Sequence, residues 1–113
     1  AHVQYTQLDP NFPASLSKAI QTGLLREELQ FHGLIFSDDL EMSAIMDHSD
    51  IAEAAITAIQ AGTDHVLICH DEARQTTAMD AVHAAVTDKR ITEFRIDESI
   101  ERIIHYKTQY VFP

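Results

Sequence analysis

The residues able to do chemistry in this chain gather where an apolar run stops. Leu34, Ile35 and Phe36 are followed at once by Ser37, Asp38 and Asp39, with Glu41 close behind. A carboxylate at the end of a buried strand can serve as a nucleophile or a base, because the strand fixes its place while the loop side admits a substrate. Two neighbouring carboxylates can also hold a divalent cation, as in a phosphoacceptor pocket. A plainer reading fits the same residues: an Asp ahead of a short helical turn caps that turn by accepting its free amides. Spacing alone leaves these alternatives open.

A second group, His65, Cys69 and His70, invites a metal reading. On a strand His65 and Cys69 point one way and His70 the other, and no complete ligand set appears, so no metal is expected. The glycines Gly23, Gly33 and Gly62 stand singly rather than in a phosphate-cradling loop, so no nucleotide or other cofactor is expected either.

These groups must be carried by regular elements, and periodicity supplies candidates. His2 to Tyr5 reads as a strand end, followed by a loop punctuated by Asp9, Pro10 and Pro13. Ser15 or Ser17 can cap a helix whose Leu16, Ile20 and Leu24 share a face, widened by Leu25 and Leu29. The run Leu34 to Phe36 reads as a strand buried on both sides. Asp50 with Glu53 forms a capping box for a helix burying Ala52, Ala55, Ile56 and Ile59 and closing at Gly62. Val66 to Cys69 reads as another buried strand, with Cys69 as a small core residue. His70 and Asp71 start a further helix, with Met79, Val82 and Val86 on one face. Asp97 caps a last helix with Ile100, Ile103 and Ile104 turned inward. The alternation predicts an α/β fold with parallel strands.

Composition sets the outer limits. The 113 residues, 45% apolar, suffice for one modest unit spanning 1–113. With 18 acidic against 8 basic residues the formal charge is −10, which repels a phosphate backbone and an anionic lipid surface, so neither nucleic acid nor membrane is an expected partner. No stretch reaches the ~20 apolar residues that cross a bilayer. The first residue is Ala1, so the natural start is expected to lie upstream.

The segment Leu24 to Met42, LLREELQFHGLIFSDDLEM, resembles the nucleophile signature of glycoside hydrolase family 3. The matching positions are Leu24, Leu25, Arg26, Glu28, Gly33, the apolar Leu34 to Phe36, Ser37 and Asp38. Flanking stretches agree with the family's β-N-acetylhexosaminidase branch: Ala1-His2-Val3, Leu8-Asp9-Pro10, Ala61-Gly62-Thr63-Asp64, and Arg95-Ile96-Asp97-Glu98-Ser99-Ile100. His32 and Ser43 depart from the commonest pattern without touching Asp38.

The resemblance implies the last three β/α units of a TIM (β/α)8 barrel plus a C-terminal helix, an incomplete barrel, with residues 1–113 as a C-terminal fragment of the catalytic domain. It implies a retaining bacterial hydrolase that removes terminal β-linked N-acetylglucosamine, by family analogy from peptidoglycan fragments, through a glycosyl ester on Asp38. Ser37 and Asp39 are expected as supporting neighbours, with Asp39 as a simple cap the favoured plain alternative; Met42 is implied as a contact to the carbohydrate substrate, and His2, at the end of the first strand, is placed to make another, with loop packing for Met42 and a core or loop histidine for His2 as the plain alternatives. The branch's acid/base His-Asp pair and its sugar-gripping Lys-His pair are expected upstream of Ala1, so the chain alone is expected to be inactive. Its open edges predict self-association or membership of a longer polypeptide. A cytoplasmic location is expected.

Two other classes deserve comparison. A receiver-like signalling module calls for five strand-helix units and a Lys ending its final strand, whereas here that strand runs Leu67-Ile68-Cys69-His70. A non-catalytic assembly domain is separated from the hydrolase by an activity assay.

Overall fold

A computed structural model describes residues 1–112. Its best-formed local element follows directly from the sequence. Asp50 Oδ1 accepts the Glu53 amide at 2.8 Å, starting α2 (Ile51–Ala61), and Gly62 ends it at φ 131°, a backbone region that L side chains avoid. Helix α2 buries Ile51, Ala54, Ala55, Ile56 and Ala58, and its alanines admit the close approach of α3 (Glu72–Thr87), which contributes Ala78 and Ala85. Asp71 caps α3 by accepting from Ala73 N at 2.8 Å and Arg74 N at 3.2 Å.

Ahead of these lie a 3-10 turn, Ala14–Leu16, and a wide helix, Ala19–Glu28, whose hydrogen bonds run i to i+5. Ser17 caps the latter through Ile20 N at 3.1 Å. Buried Gln21 ties it to the α2 exit, accepting from Thr63 Oγ1 at 2.8 Å while donating to the carbonyls of Ala14 and Ser15. The sheet has two parallel strands, β1 (Phe36–Asp39) and β2 (His65–Leu67). A short helix α1 (Ser43–Met46) follows β1, and α4 (Glu93–Tyr106) leads into a short wide helical segment, Lys107–Val111, that closes the order.

Asp64, at the entry to β2, binds three parts of the chain together. Its side chain has no solvent exposure and accepts four bonds: from Arg26 at 2.6 Å, Ile35 N at 2.9 Å, Ser99 Oγ at 2.6 Å and Arg102 at 2.9 Å. Arg95 adds bonds to the carbonyls of Ile59 and Thr63, both at 2.9 Å. Helix α4 is thus attached by a polar face. Burial works against the Asp64 carboxylate, but the bonds from Ser99, Ile35 and Arg102 overcome it and hold the carboxyl below its usual range.

The expected architecture, three β/α units of a barrel plus a C-terminal helix, is corrected: two strands form. His2 to Tyr5 finds no strand to pair with; Val3 O accepts from Ala14 N, and Tyr5 O accepts from Leu8 N and Asp9 N in a turn. The middle strand begins two residues later than the apolar run suggests, so Leu34 and Ile35 precede it and Phe36, half exposed, stacks on His65 at 4.6 Å. The last strand ends at Leu67, leaving Cys69 exposed rather than in the core. Thr92, not Asp97, caps α4, accepting from Arg95 N at 3.1 Å. Ile100 and Ile104 face outward, as does Met79 of α3.

Removing the Asp64 carboxylate takes away the buried acceptor that Arg26 and Arg102 share. Asp64→Ala is expected to lower the unfolding free energy by about 3 kcal/mol, read as a lower urea midpoint. Because the folded carboxyl titrates below its unfolded value, its contribution is present above the unfolded value and is lost as pH falls through the folded one. The variant should therefore lose part of the acid-induced fall in stability. An unchanged midpoint would contradict the role assigned to this residue.

Candidate active site

The end of β1 is irregular, and the irregularity places its carboxylate. Phe36 pairs with His65 and Asp39 with Leu67, so β1 takes three steps where β2 takes two. The extra residue makes a bulge, a device that bends a strand and re-aims a side chain. Buried Ser37 repairs the ladder there: its hydroxyl accepts the Leu67 amide at 2.9 Å. Pairing resumes with Leu40 N to Leu67 O at 2.9 Å.

Asp38 sits at this bulge, half-buried. Its Oδ1 accepts the Asp39 amide at 3.0 Å, and its Oδ2 accepts no hydrogen bond among the described residues. One oxygen is held and the other is free, which suits a group that must approach an electrophilic carbon along one direction. Asp39 faces elsewhere and organises the turn. Its Oδ1 accepts from Glu41 N at 3.1 Å, its Oδ2 lies 3.1 Å from His70 Nδ1, and its carbonyl accepts from Met42 N at 3.2 Å and His2 Nε2 at 2.7 Å. The structure therefore brings Ser37, Asp38, Asp39 and His2 together at one strand end. Met42, 46% exposed, stands at the start of α1, beyond the same turn.

Glu41, His70 and Arg74 also belong here, and the residue pattern alone gave Arg74 no role. Glu41 Oε2 accepts the His70 amide at 2.6 Å, and its Oε1 lies 3.5 Å from Arg74. Ligand atoms of Asp39, Glu41 and His70 lie within 4.8 Å of one another, so these, rather than His65 with Cys69, are the side chains that could hold a cation. Their partners are already present, because the His70 ring pairs with both carboxylates and Arg74 neutralises Glu41. The signal that could have found them is that both segments end a strand of one parallel pair, which places their loops side by side.

Comparison with known proteins supplies the wider setting. Residues 1–106 match the family model described as the glycosyl hydrolase family 3 N terminal domain. A beta-hexosaminidase of Idiomarina loihiensis is 44% identical over 81 residues, 72% of this chain and 24% of that protein. One from Nitrosomonas eutropha is 49% identical over 71 residues, 63% of this chain and 20% of that protein. A glycoside hydrolase family 3 beta-N-acetylglucosaminidase from Paenibacillus sp. str. FPU-7 superposes with a TM-score of 0.93 at 42% identity, over 96% of this chain and 21% of that one. The chain thus spans about a quarter or less of the length of these relatives. The matching model is that of the family's N-terminal domain, and it takes in all but the last seven residues of this chain.

The acidic character of the site has a chemical reporter in Cys69. Local desolvation pushes its thiol up, and the carboxylates of Asp39, Glu41 and Asp38 push it the same way. Alkylation by iodoacetamide at neutral pH should be several-fold slower than for a free cysteine, since only the thiolate reacts. Asp39→Asn should speed it. A rate matching free cysteine would show that the carboxylates do not act on this pocket as described.

Proposed function

On the premise that this chain belongs to glycosyl hydrolase family 3, we propose that it carries the nucleophile Asp38 of a retaining β-N-acetylhexosaminidase. The observation that supports this most is the state of that carboxylate. It lies at a bulged strand end, with one oxygen held by a backbone amide and the other without a hydrogen bond among the described residues. In the reaction, Asp38 Oδ2 attacks the anomeric carbon of a terminal β-linked N-acetylglucosamine as the bond to the leaving oxygen breaks, and that oxygen takes a proton from a general acid. Water then displaces the carboxylate, giving retention after two inversions.

The named relatives support the sugar: they are beta-hexosaminidases and a beta-N-acetylglucosaminidase. Peptidoglycan fragments are the natural polymer we favour. The general acid belongs to a part of the catalytic domain outside this chain, so the activity is that of a longer polypeptide. The chain alone exposes an apolar groove lined by Ile59, Val66, Ile68, Ala78, Val82 and Ile96. By itself it covers that groove by self-association.

In the enzyme, Asp38→Asn should leave the fold intact and cut turnover of an aryl β-N-acetylglucosaminide on the order of 10³-fold or more. A fluorinated N-acetylglucosamine analogue that traps the glycosyl ester should label the peptide holding Asp38. Labelling of a different carboxylate alone would remove Asp38 from this role.

For the chain alone, sedimentation velocity should show a species larger than a monomer, and Met79→Glu at the rim of the groove should shift it toward monomer. A compact monomer at all concentrations would refute the self-association.

A further inference from the structure

We infer that His2 is a positioning residue for Asp38, acting through the backbone of Asp39; the inference rests on the nucleophile reading above. His2 Nε2 lies 2.7 Å from the Asp39 carbonyl oxygen. A carbonyl only accepts, so Nε2 carries a proton and donates it. The other ring nitrogen, Nδ1, lies 2.8 Å from Ser15 Oγ, and that hydroxyl lies 2.7 Å from the carbonyl of Ala1. Ser15 has one proton to give. Given to Nδ1, it leaves a neutral ring with the proton on Nε2; given to Ala1 O, it leaves Nδ1 to donate and the ring protonated on both nitrogens. In either case Nε2–H points at Asp39.

The next link lies in the same residue. The N–H of Asp39 donates to Asp38 Oδ1 at 3.0 Å while its carbonyl receives His2. The orientation of residue 39 therefore decides which oxygen of Asp38 is held and which is free. Three bonds from beyond the Asp38 and Asp39 side chains bear on the Asp39–Leu40 peptide: Leu40 N to Leu67 O at 2.9 Å, Met42 N to Asp39 O at 3.2 Å, and His2. His2 reaches it from 37 residues away in sequence. Its support is itself rigid: Ser15 is buried, and its carbonyl accepts from Gln21 Nε2 at 2.8 Å. Ser15 and His2 form a chain of hydrogen bonds ending at the Asp39 carbonyl, and across the Cα of the same residue the Asp39 N–H holds Asp38 Oδ1, so outer groups bear on the backbone that orients the reacting one.

The test uses the active enzyme with His2→Ala, His2→Gln and, in parallel, Asp38→Asn, assayed with an aryl β-N-acetylglucosaminide. Rates are normalised to active sites titrated with the trapping analogue, so that a misfolded fraction does not count. His2→Ala should lower kcat on the order of 10-fold with KM changed less than about 2-fold. His2→Gln, whose amide N–H can reach the same carbonyl, should recover most of the loss. A merely structural role predicts fewer titratable sites with unchanged kcat per site, and that result overturns the inference. So does a His2→Gln enzyme as slow as His2→Ala, or a His2→Ala enzyme with wild-type kcat. If His2→Ala does not fold, the His2→Gln result decides: kcat within about 3-fold of wild type with the trap still on Asp38 supports the role, and a 10-fold loss overturns it. Full activity of Asp38→Asn would instead defeat the nucleophile reading, an outcome distinct from any of these.

Discussion

The structure depends on one buried carboxylate. Asp64 stands where α2 has turned at Gly62 and β2 is about to begin, and it accepts from the wide helix, from the segment entering β1 and from α4. A charge without solvent exposure is costly unless its oxygens are filled, and here they are filled from three directions. The same bonds that offset desolvation set the spacing of Ile35 and Asp64, hence the pairing of β1 with β2. Among the described residues no buried side-chain polar atom is left without a partner, as this arrangement requires.

From that anchor the active end of the sheet follows by short steps. Ile35 N is fixed on Asp64, so β1 starts in register, and Phe36 meets His65. Ser37 then lends its hydroxyl to the Leu67 amide, absorbing the bulge without leaving a buried donor unpaired. Asp38, half-buried, sits at the defect with Oδ1 on the Asp39 amide, and Asp39 takes over the turn into α1. The site is thus a consequence of a ladder defect held in place by side chains, where strand pairing and chemistry share the same few atoms.

The rest of the molecule is less self-sufficient. The core comprises two small clusters rich in alanine along α2 and α3, while Met79, Phe94, Ile100 and Ile104 face outward. Two strands cannot bury both faces of a parallel sheet. A unit of this kind has its site geometry set internally by polar bonds, while much of its apolar surface awaits a covering, consistent with a chain that spans about a quarter of the length of its relatives.

The features legible in the residue order are local ones. Asp50 with Glu53 and the glycine after Ala61 specify α2, Asp71 specifies the start of α3, and the change from apolar run to Ser37-Asp38-Asp39 marks a strand end with a carboxylate on it. These signals act over a few residues, through caps and through pairing preference, so they survive without knowledge of the fold. The tertiary structure alone decided the rest. Whether His2 to Tyr5 is a strand depends on a neighbour to pair with, which periodicity does not reveal. Helix α4 turns Arg95, Ser99 and Arg102 toward the buried Asp64 and the Ile59 and Thr63 carbonyls, which leaves Ile100 and Ile104 outward where periodicity predicts them inward. The meeting of His2 with Asp39, and of Glu41 with His70, joins residues 37 and 29 apart. Contacts of that range are set by loop closure and strand register, and no local pattern encodes them.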